Sequence, residues 1–333
     1  MWVAVDVMSG DLGPETAVHG AVQAVKEHGC KVILVGDEPT IYDLLVRFPC
    51  DASSIDVVHA DTVIGMYESP ARAVRHKKNS SVMIAARLVK EKRAVGFFSP
   101  GNTGATMGAA LLEMGRIKGV DRPAIATALP REDGGATVLI DSGANVDCKA
   151  AWLVQFAVMG ETYAREILNV PHPRIAILSN GEESKKGNFA TLAAHRDIAR
   201  LPYNFVGNVE GRDLYGGGRS ADVVVCDGFT GNIVLKATEG LARSIFNLMK
   251  REIATTTLGR TGAFMLKPTL QMIRRRMDYS EYGGAPLLGV SGDCVIGHGS
   301  SNAQAFKNGI RVVESFARKD ISGQIQENIK QYA

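Results

Sequence analysis

No apolar run in this chain approaches the ~18 residues that a membrane-spanning helix needs, so a transmembrane protein is not expected. Met1 to Asp6 reads directly as a strand with no basic leader, which points to the cytoplasm rather than secretion. The five cysteines, Cys30, Cys50, Cys148, Cys226 and Cys294, are odd in number, widely spaced and form no C-x-x-C pair; that usage suits a reducing compartment. Seven histidines do not cluster with cysteines at metal-ligand spacing, so no metal is expected. Also missing are G-x-G-x-x-G after a strand, G-x-x-x-x-G-K-[ST], G-x-S-x-G and H-E-x-x-H. Dinucleotide, P-loop, serine-hydrolase and zinc-protease chemistry lose their signatures with them, and no cofactor is expected. Net charge is only +3, from 38 basic and 35 acidic residues, so no global field draws the chain to nucleic acid. Repeats, low-complexity tracts and flexible linkers are absent as well.

What is present is a core and a recurring pattern. Apolar residues make up 45% of the 333, ample for one large α/β domain with an insertion. Five times an apolar run ends in a loop of Gly, Asn, Asp and Ser before a helical pattern begins. The runs are Val3 to Val7, Ala94 to Ser99, Thr137 to Ile140, Arg174 to Leu178 and Asp222 to Cys226. Strands that each feed a helix predict a parallel sheet whose carboxyl edge collects these loops and binds a small ligand. Helices are expected over Pro14 to Lys26, residues 38 to 48 and residues 80 to 92, with Ser80 or Ser81 capping the last. Ile233 to Lys250 reads as helix, the stretch to Met277 as an all-helical insertion, Gly283 to Pro286 as loop, and Ala303 to Lys319 as the closing helix.

Three loops carry candidate chemistry. Ser99-Pro100-Gly101-Asn102-Thr103-Gly104 precedes a helix whose free amides favour an anion such as phosphate; the competing reading is a tight turn capped by Thr103. Asp227-Gly228-Phe229-Thr230-Gly231-Asn232 has the same shape, with Lys236 one turn further, and reads as an opposite wall. Asp227 is there either a base, an orienting acceptor or an ordinary turn residue. The third loop, Asn180 to Asn188, mixes Glu182 and Glu183 with Lys185 and Lys186, which either neutralise phosphate or compensate each other at the surface. Arg212 fits a bidentate phosphate contact or a structural carboxylate pair. Cys148 and Cys226 lie beside candidate loops and are left unassigned, because a cysteine at a strand end is commonly a small core residue.

The insertion from Leu241 to Met277 alternates basic residues with Phe264, Leu266, Leu270, Ile273 and other apolar side chains. A basic amphipathic arm of this kind can pack in a dimer, dock an acidic protein or lie on an anionic membrane.

Taken together the loops resemble the bacterial phosphate acyltransferase (PlsX) family over nearly the whole chain. The segments that carry the resemblance include Gly101 to Ala105, Gly115 to Gly119, Asp121 to Ala124, Gly143 to Lys149, Gly187-Asn188, Gly207 to Asp213, Val224 to Asn232, Asp278 to Gly289 and His298 to Ser301. Two positions depart from the family pattern: Leu12 stands where the family usually has His, and Pro100 where it usually has Ala. The resemblance implies an isocitrate/isopropylmalate dehydrogenase-like, phosphotransacetylase-related fold, three layers with a mostly parallel sheet flanked by helices, spanning residues 1–333 with a helical arm at about 240–280. It implies transfer of a long-chain acyl group from acyl carrier protein to orthophosphate, a homodimer, and peripheral attachment to the inner face of the membrane. There the acyl phosphate would pass to a membrane glycerol-3-phosphate acyltransferase of phospholipid synthesis.

Roles follow as expectations. Ser99, Gly101, Asn102, Thr103 and Gly104 hold phosphate, Lys185 and Lys236 balance charge, and Asp227 orients or accepts a proton. Asn145, Asn188, Asn232, Thr230, His298 and Ser300 face the acyl group or oxyanion. Phe264, Leu266, Leu270 and Ile273 form the dimer and membrane arm, with Lys267, Arg274, Arg275 and Arg276 docking the carrier protein. Rival readings are a short-chain phosphotransacetylase using coenzyme A, a decarboxylating dehydrogenase and a catalytically silent scaffold.

Overall fold

The computed structural model describes residues 1–216, 220–277 and 283–332, without the side chains of 271 and 274–277. The first half of the chain runs β1 (Trp2–Asp6), α1 (Gly13–His28), β2 (Lys31–Gly36), α2 (Glu38–Arg47), β3 (Ile55–His59), α3 (Pro70–His76), α4 (Ser81–Lys90), β4 (Gly96–Ser99) and α5 (Thr103–Ala109). A π-helical turn, Ala110–Met114, extends α5. Next come β5 (Ala124–Pro130), β6 (Ala136–Ile140), α6 (Ala150–Glu166), β7 (Arg174–Leu178), α7 (Phe189–Ile198), β8 (Asn204–Val209) and β9 (Val223–Val225). The last elements are α8 (Gly228–Ile253), α9 (Thr257–Met277), β10 (Ala285–Leu288), β11 (Asp293–Ile296), α10 (Ala303–Arg318) and α11 (Ile321–Lys330).

The strands join in one sheet of order β3-β2-β1-β4-β11-β10-β5-β6-β9-β7-β8. From β3 to β11 the ladders are parallel, and from β6 to β8 they are parallel again. Between them β10 pairs antiparallel with β11 and with β5, and β5 antiparallel with β6. The second parallel block therefore runs opposite to the first. This corrects the expectation of one carboxyl edge: the loops after β1, β4 and β11 leave one end of their ladders, and those after β6, β7 and β9 leave the other.

Side-chain alternation builds the layers. Val3 and Val5 of β1 enter one buried cluster with α1 and α10, while Ala4 between them enters another with α4 and α5. In the second block Val138, Ile140, Val223, Val225, Ile175 and Ile177 pack under α6 and α11, and Leu139, Val224 and Ala176 face the root of α8. Each large side chain so buried contributes roughly 1.5–3 kcal/mol.

Local expectations fare differently. Helix α8 starts at Gly228, five residues before the predicted Ile233, because Asp227 caps it. Ala285 and Pro286, expected in a loop, begin β10; Pro286 reads as a breaker in sequence, yet its short strand pairs with β11 over only two positions. The closing helix ends at Arg318, where Asp320 at φ 48° turns the chain into α11. Ser80 is the residue before α4, but its hydroxyl makes no capping bond. No helix among the described residues is long and apolar enough to cross a membrane.

Candidate active site

At the end of the first block three loops interlock. Asp6, wholly buried at the tip of β1, accepts the Ser99 hydroxyl at 2.7 Å and the Ser9 amide at 3.3 Å. Ser99 Oγ in turn accepts the Gly101 amide at 3.2 Å. The Asp11 amide donates to Gly299 O at 2.7 Å, and the Gly297 amide to Ser99 O at 2.9 Å. Close packing makes glycine necessary: a Cβ on Gly101 would lie 3.0 Å from Ser9 Cβ, and Gly10, at φ +96°, sits against Pro100. Pro100, the departure from the family pattern, thus seals the β1 loop onto the β4 loop, while Leu12, the other, is half exposed just before α1.

Asn102 is committed here to structure. Its Oδ1 caps α5 by accepting the Ala105 amide at 3.1 Å, and its Nδ2 donates to Met66 O at 2.8 Å and Glu68 O at 3.3 Å. Both ends of the side chain expected to hold phosphate are thus engaged within the protein, and the cap of α5 is Asn102 rather than Thr103. Thr103 is exposed. His298 Nδ1 lies 2.8 Å from Ser300 Oγ and accepts the Ser300 amide at 3.2 Å, so these two expected residues pair within the third loop.

At the other end the organiser is Asp141. Its Oδ1 accepts amides of Ile125, Gly143 and Ala144 at 3.1, 3.0 and 2.9 Å, and its Oδ2 accepts Asn145 N at 2.7 Å and Asn145 Nδ2 at 2.8 Å. Burial pushes its carboxyl above the ordinary range, while these donors pull the other way. The loop then locks to α8: the Gly228 amide donates to Asn145 O at 2.7 Å, and a Cβ on Gly231 would lie 2.0 Å from Asp141 O.

Most expected residues at this end are helix caps or their partners. Asp227 accepts the Thr230 amide at 2.8 Å and the Thr230 hydroxyl at 2.9 Å; Asn188 accepts the Thr191 amide at 3.0 Å. Asn145 Nδ2 donates also to Pro123 O at 2.8 Å. Lys236 is exposed and pairs with Glu239 at 2.9 Å, and Asn232 and Lys185 are exposed. Arg212 takes the carboxylate alternative, with Glu210 at 2.7 Å and Glu182 at 3.3 Å. Burial, aided by Asp141, pushes the Cys148 thiol up to about 12, and burial lifts the Cys226 thiol too; neither is a ready nucleophile at neutral pH. The Asp227 loop is thus joined to the Asn145 loop through the Gly228 amide, and Ala144 of that loop packs against the cluster that holds Ala105 and Ala109 of α5.

In the arm, Phe264 and Leu266 are 78% and 56% exposed, Ile273 is exposed and Leu270 half-buried, and Lys267 is exposed. The side chains of Arg274, Arg275 and Arg276 lie outside the described residues, as do residues 278–282 of the Asp278 to Gly289 segment.

Residues 1–324 match the fatty acid synthesis protein family. The chain belongs to that family. A phosphate acyltransferase of Leptospira biflexa is 57% identical across 100% of this chain and 98% of its own length. One of Pelotomaculum thermopropionicum is 51% identical across 99% and 94%. Membership of the fatty acid synthesis protein family with these relatives makes the chain an acyltransferase, acting with an acyl donor and a phosphate acceptor. Among solved structures, a phosphotransacetylase from Streptococcus pyogenes aligns with a TM-score of 0.62 at 17% identity, covering 96% of this chain and 94% of that one. EutD phosphotransacetylase from Staphylococcus aureus aligns at 0.61 and 15%, covering 95% and 94%. These two share the fold, as the resemblance implies.

Asp6, Asp141 and the carbonyls of Met66 and Glu68 hold these loops in place, and sequence reading gave them no part. The Asp141-Ser142-Gly143 spacing is a turn signal in which a carboxylate collects following amides, and it was available in the sequence. Nothing in the sequence joins Asn102 to residues 36 and 34 positions earlier.

Proposed function

We propose that this chain transfers a long-chain fatty acyl group from acyl carrier protein to orthophosphate, releasing acyl phosphate for phospholipid synthesis. The observation that carries the reading is full-length identity of 57% to a phosphate acyltransferase. The interlocked glycine loops at the end of β1, β4 and β11 support an anion site there. A phosphate oxygen attacks the thioester carbonyl carbon, a tetrahedral oxyanion forms, the C–S bond breaks, and the thiolate leaves and takes up a proton. Phosphate is ionised at neutral pH and the thiol is a good leaving group with a pKa near ~8.5, so placement and charge matter more than a strong base. Holding both partners in line supplies up to ~7–11 kcal/mol, and an oxyanion donor about 3 more.

In this reading Gly101, Thr103 and Gly104 present amides and a hydroxyl to phosphate, with Ser99 and Asn102 holding their loop. Lys185, Lys236 and Asn232 carry the exposed polar chemistry of the second group, which Asp227, Asn145 and Asn188 hold in shape. Thr230, His298 and Ser300 complete the two loop groups. The apolar and basic arm serves a homodimer and an anionic membrane, with Lys267 and Arg274 to Arg276 meeting the carrier protein. Attachment at the membrane's inner face hands acyl phosphate to a membrane glycerol-3-phosphate acyltransferase.

The test is incubation with palmitoyl acyl carrier protein and phosphate, followed by hydroxylamine trapping. Phosphate-dependent hydroxamate supports the reading; product from acetyl coenzyme A alone moves the assignment to the short-chain reaction. A stable acyl enzyme in a quench overturns direct displacement. Thr103→Val and Lys236→Gln, measured separately, tell which loop group meets phosphate by which one raises its KM.

A further inference from the structure

A cavity of about 420 Å³, lined by Glu68, Ser69, Arg72, Ala73, His76 and Lys77, has no part in the roles above. Ser69, Arg72, Ala73 and His76 recur at the i, i+3, i+4, i+7 spacing that places them on one face of α3. Ala73 is buried at the base of this face. Arg72 and His76 are exposed and make no ion pair among the described residues. The carboxylate on the wall is already satisfied: Glu68 Oε1 accepts Lys77 Nζ at 2.6 Å and the Gly65 amide at 2.7 Å. The lining thus offers a guanidinium fork, an imidazole and a hydroxyl, with its acidic group offset by its own lysine.

The cavity is fastened to the loop after β4. Asn102 Nδ2 donates to the carbonyl of Glu68, which lines the cavity, at 3.3 Å and to that of Met66 at 2.8 Å. Helix α3 rides directly on α5, where a Cβ on Gly104 would lie 2.7 Å from Pro70 Cγ and one on Gly108 3.3 Å from Val74 Cγ1. The same asparagine that caps α5 therefore sets the distance between the Gly101 to Gly104 loop and the Arg72 side of the cavity.

We propose that this cavity binds a phosphoryl oxyanion through Arg72 and His76, as a subsite beside the Gly101 to Gly104 loop. The inference rests on the acyl-transfer reading above and adds a ligand position to it. The oxyanion has two sources in that reaction: the acceptor phosphate itself, or the phosphodiester of a pantetheine arm that carries the acyl thioester. Both present the same chemistry to a guanidinium fork.

The experiment compares the full-length chain with Arg72→Gln and His76→Asn, and with Arg75→Gln as a control that makes the same charge change outside the lining. Inorganic phosphate binding is measured by calorimetry, and KM for phosphate and for palmitoyl acyl carrier protein by hydroxamate formation. Loss of one charge-assisted contact is expected to weaken one ligand about tenfold with kcat within about twofold. Weaker phosphate binding and a higher phosphate KM in Arg72→Gln assign the cavity to the acceptor. A higher donor KM alone assigns it to the donor's phosphodiester. Changes under about twofold in both, or equal changes in Arg75→Gln, overturn the proposal, the latter by showing only a general field. Failure of the unaltered chain to form hydroxamate counts against the transfer reading instead, and the calorimetric comparison then decides the cavity alone.

Discussion

At the scale of single residues, the carboxylates that matter most are buried and speak to backbone, not to solvent. Asp141 collects five donors from the strand and loop around it, so Asp141→Asn turns one acceptor oxygen into an amide facing N–H groups. A loss of ~3 kcal/mol is expected in urea unfolding; a loss below ~1 kcal/mol would show that the loop re-forms without the charge. Asp293, buried at the start of β11, has its carboxyl pushed up to about 7 by burial, against the pull of the Ser322 hydroxyl at 3.3 Å. The folded chain then holds a proton that the unfolded chain releases near its ordinary value of ~3.9. The associated stability is complete below that ordinary value and is lost as pH rises through about 7, by on the order of a few kcal/mol. Asp293→Asn is therefore expected to look better relative to the parent at pH 8 than at pH 5 in matched denaturation curves; a difference independent of pH would refute it.

Residue-level legibility was uneven for a physical reason. Asp227, Asn188 and Asn102 stood out in sequence because each lies in a glycine-containing loop just before a helical pattern, yet Asp and Asn are also preferred helix caps. Sequence gives the residue type at a helix start; only the fold says whether the side chain turns back onto its own amides, as all three do here.

At the scale of elements, periodicity found the strands and helices that alternate and missed those that pair across the middle. β1, β4, β6, β7 and β9 were legible as apolar runs; β10 was not, since Gly283 and Gly284 precede its four residues and Pro286 is one of them. The two antiparallel pairings of β10 leave β5 running with the first block, and the antiparallel β5–β6 pair then reverses the second. Helix α10 shows how tightly the first block is closed. A Cβ on Gly309 would lie 2.2 Å from Phe98 Cε2, in the middle of a fully buried ring. Gly309→Ala is expected to cost ~3 kcal/mol or more despite alanine's better helix propensity, read as a lowered Tm; an unchanged or raised Tm would mean the ring moves freely. In the arm, Phe264 and Leu266 are exposed on α9. Replacing both with serine is expected to weaken binding to anionic liposomes by about tenfold, from lost apolar burial, while activity on soluble substrate stays within about twofold. Equal losses in both assays would remove the separation.

At the scale of the whole molecule, α8 carries an apolar face that is exposed in the single chain. Its 26 residues make a rod about 39 Å long, and Leu241, Ile245, Leu248 and Met249 form an exposed stripe at i, i+4, i+7 and i+8. A second copy covering that stripe predicts a sedimentation mass of twice 35.6 kDa, reduced to one chain by Leu241→Asp with Leu248→Asp. A single-chain mass for the unaltered protein would contradict it. The sheet order also has a consequence for how the molecule is made. β11 lies between β4 and β10, so the strand that completes the first block comes almost 200 residues after its neighbour β4. While the ribosome is still extending the middle of the chain, β4 presents a bare row of amides and carbonyls to everything around it, and chaperone occupancy should peak before residue 296 has emerged.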